Sequence, residues 1–126
     1  MKRFLLQFFT WWNGATLGTR LWTWRKGEFV GEDQGGNRYY RERGGWRRWV
    51  VYNGEAEASR IPPGWHGWMH KRTDIAPSQE SYRRREWEKP HLPNLTGTPA
   101  AYHPPGSILG TTGRPEVTGD YEAWTP

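Results

Sequence analysis

Ten of the 126 residues are tryptophan, while hydrophobic residues of every kind make up only 34% of the chain and aromatics alone reach 16%. Interiors are close-packed, and a chain short of Leu, Ile and Val has few pieces with which to fill one. Indoles and phenols instead join a wide apolar face to a polar edge, which suits them to places where one surface meets another. A small domain buries only ~60% of the surface its unfolded chain exposes. The composition therefore predicts one small core at most, with part of the aromatic surface left for a neighbour to cover.

Charge sharpens that expectation. Lys and Arg number 18 against 13 acids, a net charge of +5. Residues 1–88 carry 16 basic and 10 acidic side chains, whereas Lys89 and Arg114 stand against Glu116, Asp120 and Glu122 in the remainder. The basic part is the front, and its natural complements are nucleic acid, anionic lipid or an acidic protein face. No cysteine is present, which removes disulfides, thiolate nucleophiles, iron–sulfur ligation and the commonest structural zinc sites.

Lys2 and Arg3 before Phe4, Leu5, Leu6, Phe8 and Phe9 imitate a signal peptide. Gln7 and Thr10 interrupt the run, Trp11 and Trp12 follow, and no small-x-small cleavage site appears. The run is also shorter than the ~18 apolar residues that span a bilayer. Helical spacing of Phe4, Leu5, Phe8, Phe9, Trp12 and Ala15 predicts an amphipathic helix over 1–17, with Arg3, Gln7, Thr10 and Gly14 opposite. Each large side chain on that stripe would contribute about 2 kcal/mol on burial, so the stripe calls for a partner subunit or the membrane interface.

Residues 18–88 read as a small α+β module. After a linker holding Gly18, Arg20, Trp22 and Trp24, extended runs on either side of Gln34, Gly35, Gly36 and Asn37 predict a hairpin in which Gly and Asn supply positive φ. Gly44 and Gly45 turn the chain again before Arg47, Arg48, Trp49, Val50, Val51 and Tyr52, giving three antiparallel strands. Pro62 and Pro63 suit the start of a short second helix over 63–70. Residues 81–88 are charged and weakly helical. From residue 89 to 126 the chain holds 7 of its 10 prolines and five glycines, a long extended coil tail ordered only where something holds it.

Chemistry finds little purchase. His66, His70 and Asp74 recur at a four-residue spacing, yet Gly67 weakens that helix and no further ligand pair completes a set. Glu32 and Asp33 are neighbours on a strand and so face opposite sides, which suits turn and salt-bridge roles rather than joint acid–base work. Gly31, Gly35 and Gly36 match neither a phosphate loop nor a dinucleotide fingerprint. Asn94, Leu95 and Thr96 spell a glycosylation sequon, read as chance without a secretory signal. Arg83, Arg84 and Arg85, with Arg47 and Arg48 beside Trp49, interleave cations and aromatics as a single-stranded nucleic-acid platform does. A solvated charged face, or one that meets acidic protein, gives the same composition.

The ordered series of segments is more specific than any one of them. Gly31, Glu32 and Asp33 with Gly36, Asn37, Tyr39 and Tyr40 come first, then the run from Arg47 to Tyr52. Ile61, Pro62, Pro63, Gly64, Trp65, His66, Gly67 and Trp68 follow, and then Pro93, Asn94, Leu95, Thr96, Gly97, Thr98 and Pro99 with Tyr102. From about residue 10 to 126 the series resembles the NADH:ubiquinone oxidoreductase alpha subcomplex subunit twelve family. The resemblance implies a non-catalytic accessory subunit of respiratory complex I, without cofactor or metal of its own. It would sit on the peripheral arm near the junction with the membrane arm, against core subunits that include the iron–sulfur ones. Neither nucleic acid nor a second copy is expected as a partner.

With Met1 close to the matching region and no Arg/Ser-rich transit segment ahead of it, an alphaproteobacterial member on the cytoplasmic face of the inner membrane is favoured, or the matrix face in a mitochondrion. A paralogous branch acts as an assembly factor. The tail, with Thr111, Thr112, Gly113, Arg114, Pro115 and Trp124, resembles the subunit branch, while the stretch 104–110 departs from the mitochondrial pattern. The expected partner-binding residues are Phe4, Phe8, Phe9, Trp11, Trp12, Trp22, Trp24, Arg47, Arg48, Trp49, Trp65, His66, Trp68, Arg83, Arg84, Arg85, Asn94, Tyr102 and Trp124.

Overall fold

The computed structural model describes residues 2–11, 14–110, 113, 119 and 123–126, with the side chains of residues 2–4 and 7 left aside. Its elements are α1 (Lys2–Phe9), α2 (Leu17–Lys26), β1 (Gly27–Glu32), β2 (Arg38–Glu42), β3 (Arg48–Val51), a single 3-10 turn (Ala58–Arg60) and α3 (Pro63–Met69). The three strands form one antiparallel sheet in chain order. This is the α+β arrangement that the turn signals and β-rich runs predict. Contacts divide the chain into residues up to Asn94 and residues from Leu95 onward.

The helix expected over 1–17 is shorter, and the linker after it is a helix. The backbone N–H and hydroxyl of Thr10 both donate to the Leu6 carbonyl, and Gly14 takes φ +75, a left-handed conformation that a helix does not propagate. Thr16 then starts α2, its hydroxyl accepting from the Thr19 N–H at 3.2 Å. That N-cap starts the helix where the sequence predicts a linker, because α2 lacks a continuous apolar stripe. Leu21, Trp22 and Trp24 are exposed, and no residue of α2 is buried.

No loop separates α2 from β1. A side chain on Gly27 would collide with the Thr23 carbonyl and come within 3.1 Å of the Trp49 ring, so only glycine permits this junction. The β1–β2 turn is knotted by Asp33. One carboxylate oxygen accepts from the N–H groups of Gly35 (2.8 Å) and Asn37 (3.0 Å), the other from the Asn37 amide (2.9 Å) and the Tyr39 hydroxyl (2.7 Å). Gly36 alone supplies the positive φ expected of Gly and Asn together. Asn37 is instead buried, and its side-chain oxygen accepts from Asn53 N–H at 3.1 Å. A bulge at Val30, between Phe29 and Gly31, shifts the register of β1.

The core is aromatic. Tyr39 (0% exposed), Trp65 and Trp68 (2%) pack with Ala76, joined at the edge by Val30, Val50, Ile61 and Met69. Tyr39 stacks on Trp65 with centroids 4.0 Å apart and planes 5° from parallel, and Trp68 stands edge-on to both. Trp65 lies so close to Gly31 that a Cβ there would be 2.8 Å from its ring. Burial and the Asp33 carboxylate push the Tyr39 phenol well above its ordinary range.

Residues 81–88 form an open turn in place of the weak helix. The Tyr82 hydroxyl donates to Glu88, and the Glu88 N–H donates to the Arg85 carbonyl. The segment that follows returns to the 3-10 turn, where His91 Nε2 lies 2.8 Å from the Ser59 carbonyl and the Asn94 N–H donates to the Ser59 hydroxyl. From Leu95 the described residues hold neither helix nor strand, only turns closed by Thr98 to Leu95, Ala101 to Thr98, Ser107 to Pro104 and Gly110 to Ser107.

Candidate interaction surface

Side chains that the sequence singles out as one class divide into two. Trp65 and Trp68, expected to bind a partner, belong to the internal core. Their three-residue spacing puts both on the face of α3 that meets the sheet, so they have almost no surface to offer. Arg48 is likewise turned inward. Its guanidinium donates to the carbonyls of Trp68 (2.6 Å) and Thr73 (2.8 Å), pairs with Asp74 at 2.5 Å and lies 4.8 Å from the Trp68 ring centre. A cation at the C-terminal end of α3 gives its Trp68 carbonyl a charged donor and ties it to Thr73 beyond the helix, so Arg48 is a structural cap. The bond to Asp74 also occupies the third member of the His66, His70, Asp74 series. The rings of His66 and His70 lie 4.2 Å apart on the exposed side of α3.

The remaining aromatics face outward. Phe8, Phe9, Trp11, Trp22 and Trp24 are exposed, as are Tyr102 and Trp124 (84%) in the tail. Arg83, Arg84 and Arg85 are exposed together, and Asn94 lies beside Ser59. Phe4's side chain and Trp12 fall outside the described residues. Trp49 is intermediate: its indole N–H donates to the Thr23 hydroxyl at 2.9 Å, pinning α2 to the sheet, while its ring stacks on Tyr40.

Sequence reasoning missed Trp46 (73% exposed), Trp87, Phe29 and Lys71. Trp46 follows the Gly44 and Gly45 turn directly, and a large residue at the tip of a turn has no interior within reach. That signal was available. Lys71 carried none, since its role depends on a left-handed backbone (φ 57) that only the fold reveals. Its ammonium lies 3.4 Å from the Trp46 ring centre, and Arg47 stands 6.0 Å from that of Trp22. Two cations on the sheet are paired at the surface. Arg41 bridges to Glu28 at 2.8 Å, which holds that carboxyl below its usual range, and Arg38 lies 3.4 Å from Glu32.

No group of three or more His, Asp or Glu side chains suited to a metal ion occurs among the described residues. No helix there is long and apolar enough to cross a membrane. What the surface presents is apolar aromatic area bordered by arginine and lysine, an arrangement suited to binding.

Comparison with known proteins gives this surface a context. Residues 27–126 match the family described as NADH ubiquinone oxidoreductase subunit NDUFA12, which takes in the sheet, α3 and the tail. The chain is 40% identical over 88 residues to NADH dehydrogenase (ubiquinone) 1 alpha subcomplex subunit 12 of Dictyostelium discoideum, an alignment covering 66% of this chain and 64% of the relative. It is 38% identical over 94 residues to the Bos taurus protein of the same name, covering 64% of each. An uncharacterized protein of Rickettsia prowazekii is 43% identical over 47 residues, 32% of this chain and 47% of that one. The chain thus spans 64% of the length of the first two relatives.

Proposed function

Because the chain belongs to the NADH ubiquinone oxidoreductase subunit NDUFA12 family, we propose that it is a non-catalytic accessory subunit of respiratory complex I, stabilising the peripheral arm near its junction with the membrane arm. Its neighbours there would be core subunits of that arm, the iron–sulfur subunits among them. The physical observation behind the reading is the outward set of aromatics. Trp24, Trp46, Trp87 and Trp124 keep most of their surface in solvent although the chain is poor in other apolar residues. Covering such side chains is how a small subunit gains its hold, and the entropy lost by a proline-rich arm is offset at that moment. On this reading it lies on the cytoplasmic side of a bacterial inner membrane, or on the matrix side of a mitochondrial one.

The test is a tagged chain recovered from detergent-solubilised membranes, beside a version truncated after Asn94. The full chain is expected to bring the assembled, NADH-oxidising complex with it at near-equal stoichiometry. The truncated one keeps its core, including the contacts of His91 and Asn94 with Ser59, and is expected to be lost on stringent washing. Recovery only with partial complexes would identify an assembly factor instead. Recovery with RNA or single-stranded DNA, lost steeply as salt rises, would replace the subunit reading altogether.

A further inference from the structure

Between α2 and the side of the module formed by β3 and α3 lies a cleft of about 640 Å³, walled by Trp22, Trp46 and Trp49 with Val50 and Met69 between them. One wall comes from α2, ahead of the span that matches the family. Three cations line it: Arg48, already paired with Asp74, and two others that stand against its rings, Lys71 against Trp46 and Arg47 against Trp22. No acidic residue lines the cleft, and neither Lys71 nor Arg47 takes part in an ion pair within the described residues.

Lys71 occupies its place at a cost. It follows the C-cap of α3, donates its N–H to the Trp68 carbonyl at 3.0 Å and has φ 57, the one positive φ outside glycine among the described residues. Glycine is the usual choice there, and a side chain in that conformation is unfavourable. The lysine gains no carboxylate among the described residues to offset this. What it does gain is a position from which the ammonium, held on an indole face, is directed into an apolar cleft.

Resting on the subunit reading and naming the chemistry of one contact within it, we propose that this cleft receives an acidic segment of a partner protein. Carboxylates meet Lys71 and Arg47 while an apolar side chain settles on Val50 and Met69 between the indoles. A cation over an aromatic face is partly stripped of water, so a carboxylate brought to its open side makes a stronger charge-assisted bond than at an open surface. Nucleic acid suits the cleft less well. Trp46 and Trp22 each have a face engaged by a cation and Trp49 is stacked on Tyr40, which leaves no ladder of open rings for successive bases.

Gly18 offers a probe position on the rim, because a Cβ built there meets only the Thr16 hydroxyl at 3.9 Å. The full chain carrying a benzoylphenylalanine photocrosslinker at position 18 is irradiated in detergent-solubilised membranes, and the crosslinked peptide is sequenced. The expected product is a partner segment with two or more Asp or Glu beside the attachment point. Its yield should fall about tenfold, equivalent to ~1.4 kcal/mol, when Arg47→Glu and Lys71→Glu are combined, and by less for Arg47→Gln with Lys71→Gln should the reversed pair fail to fold. Crosslinking to phospholipid alone, to a segment without acids, or to nothing while the chain still co-purifies with the complex overturns the cleft proposal and leaves the subunit reading standing. If the chain does not co-purify, the subunit reading has failed and the isolated protein decides the cleft. A blocked peptide of alternating Glu, Leu and Pro must then quench indole fluorescence saturably and lose that effect when Glu is replaced by Gln; equal response to both peptides, or none, overturns the proposal.

Discussion

Helices α2 and α3 each carry two tryptophans, and they use them in opposite ways. Trp65 and Trp68 are three apart on α3, so both fall on one face, and that face meets Gly31 and Tyr39 of the sheet. Trp22 and Trp24 are two apart on α2, so they diverge around the helix and both remain exposed. The same residue type serves as filling in one helix and as exposed surface in the other. Spacing decides the matter, together with what lies opposite: α3 meets a glycine on the strand, whereas α2 is tied to the sheet by the Trp49 to Thr23 hydrogen bond.

The division breaks most visibly at Trp68. Trp68→Ala is expected to lower the unfolding free energy by about 4 kcal/mol, a large share of the stability of so small a domain, and urea unfolding followed by circular dichroism measures it. A loss under about 1 kcal/mol would mean that the aromatic stack does not hold the module together. Arg48→Ala should come next, at about 3 kcal/mol, because the carbonyls of Trp68, at the end of α3, and of Thr73, beyond it, lose a charged donor and Trp68 loses its covering cation. Arg48→Lys should recover only part of this, since an ammonium cannot reproduce the planar fork that reaches Trp68, Thr73 and Asp74 together.

Much of this was readable in the residues, and the failures share a cause. The strands, their turns and the proline start of α3 were legible because Gly, Asn, Pro and β-branched residues act locally. The end of α1 was missed because the apolar spacing runs on through Ala15, whereas Thr10, Gly14 and the Thr16 cap end the helix by backbone chemistry. Arg48 was taken for a surface arginine because it resembles Arg47. Arg47 lies just ahead of β3 and Arg48 opens it, but nothing local says that Arg48 would lie under the end of α3, 20 residues further on.

Tyr39→Phe sharpens the inward side by a smaller amount. It removes one hydrogen bond to Asp33 and keeps the stacked ring, for a loss of about 1 kcal/mol near neutral pH. The pH profile separates this from general weakening. Burial and Asp33 hold the phenol protonated well above its ordinary 10.0, so this contribution is complete below pH 10 and is withdrawn as pH rises beyond it, where the unfolded chain ionises and the folded one does not. The wild type should therefore lose stability in alkali faster than Tyr39→Phe, by at most ~1.4 kcal/mol per pH unit. Parallel profiles would show that Tyr39 is not held in this way.

On the outward side the smallest effect is the informative one. Trp24 is exposed and lies on a helix without a buried residue, so Trp24→Ala in the isolated chain should change the unfolding free energy by no more than about 0.5 kcal/mol. The same substitution should reduce retention on the complex under stringent washing, because a large aromatic covered by a partner commonly contributes ~2 kcal/mol or more to binding. Two measurements on one variant thus ask whether an indole serves the fold or a neighbour. A loss of stability comparable to that of Trp68→Ala, with retention unchanged, would move Trp24 to the inward class and remove the contrast between α2 and α3.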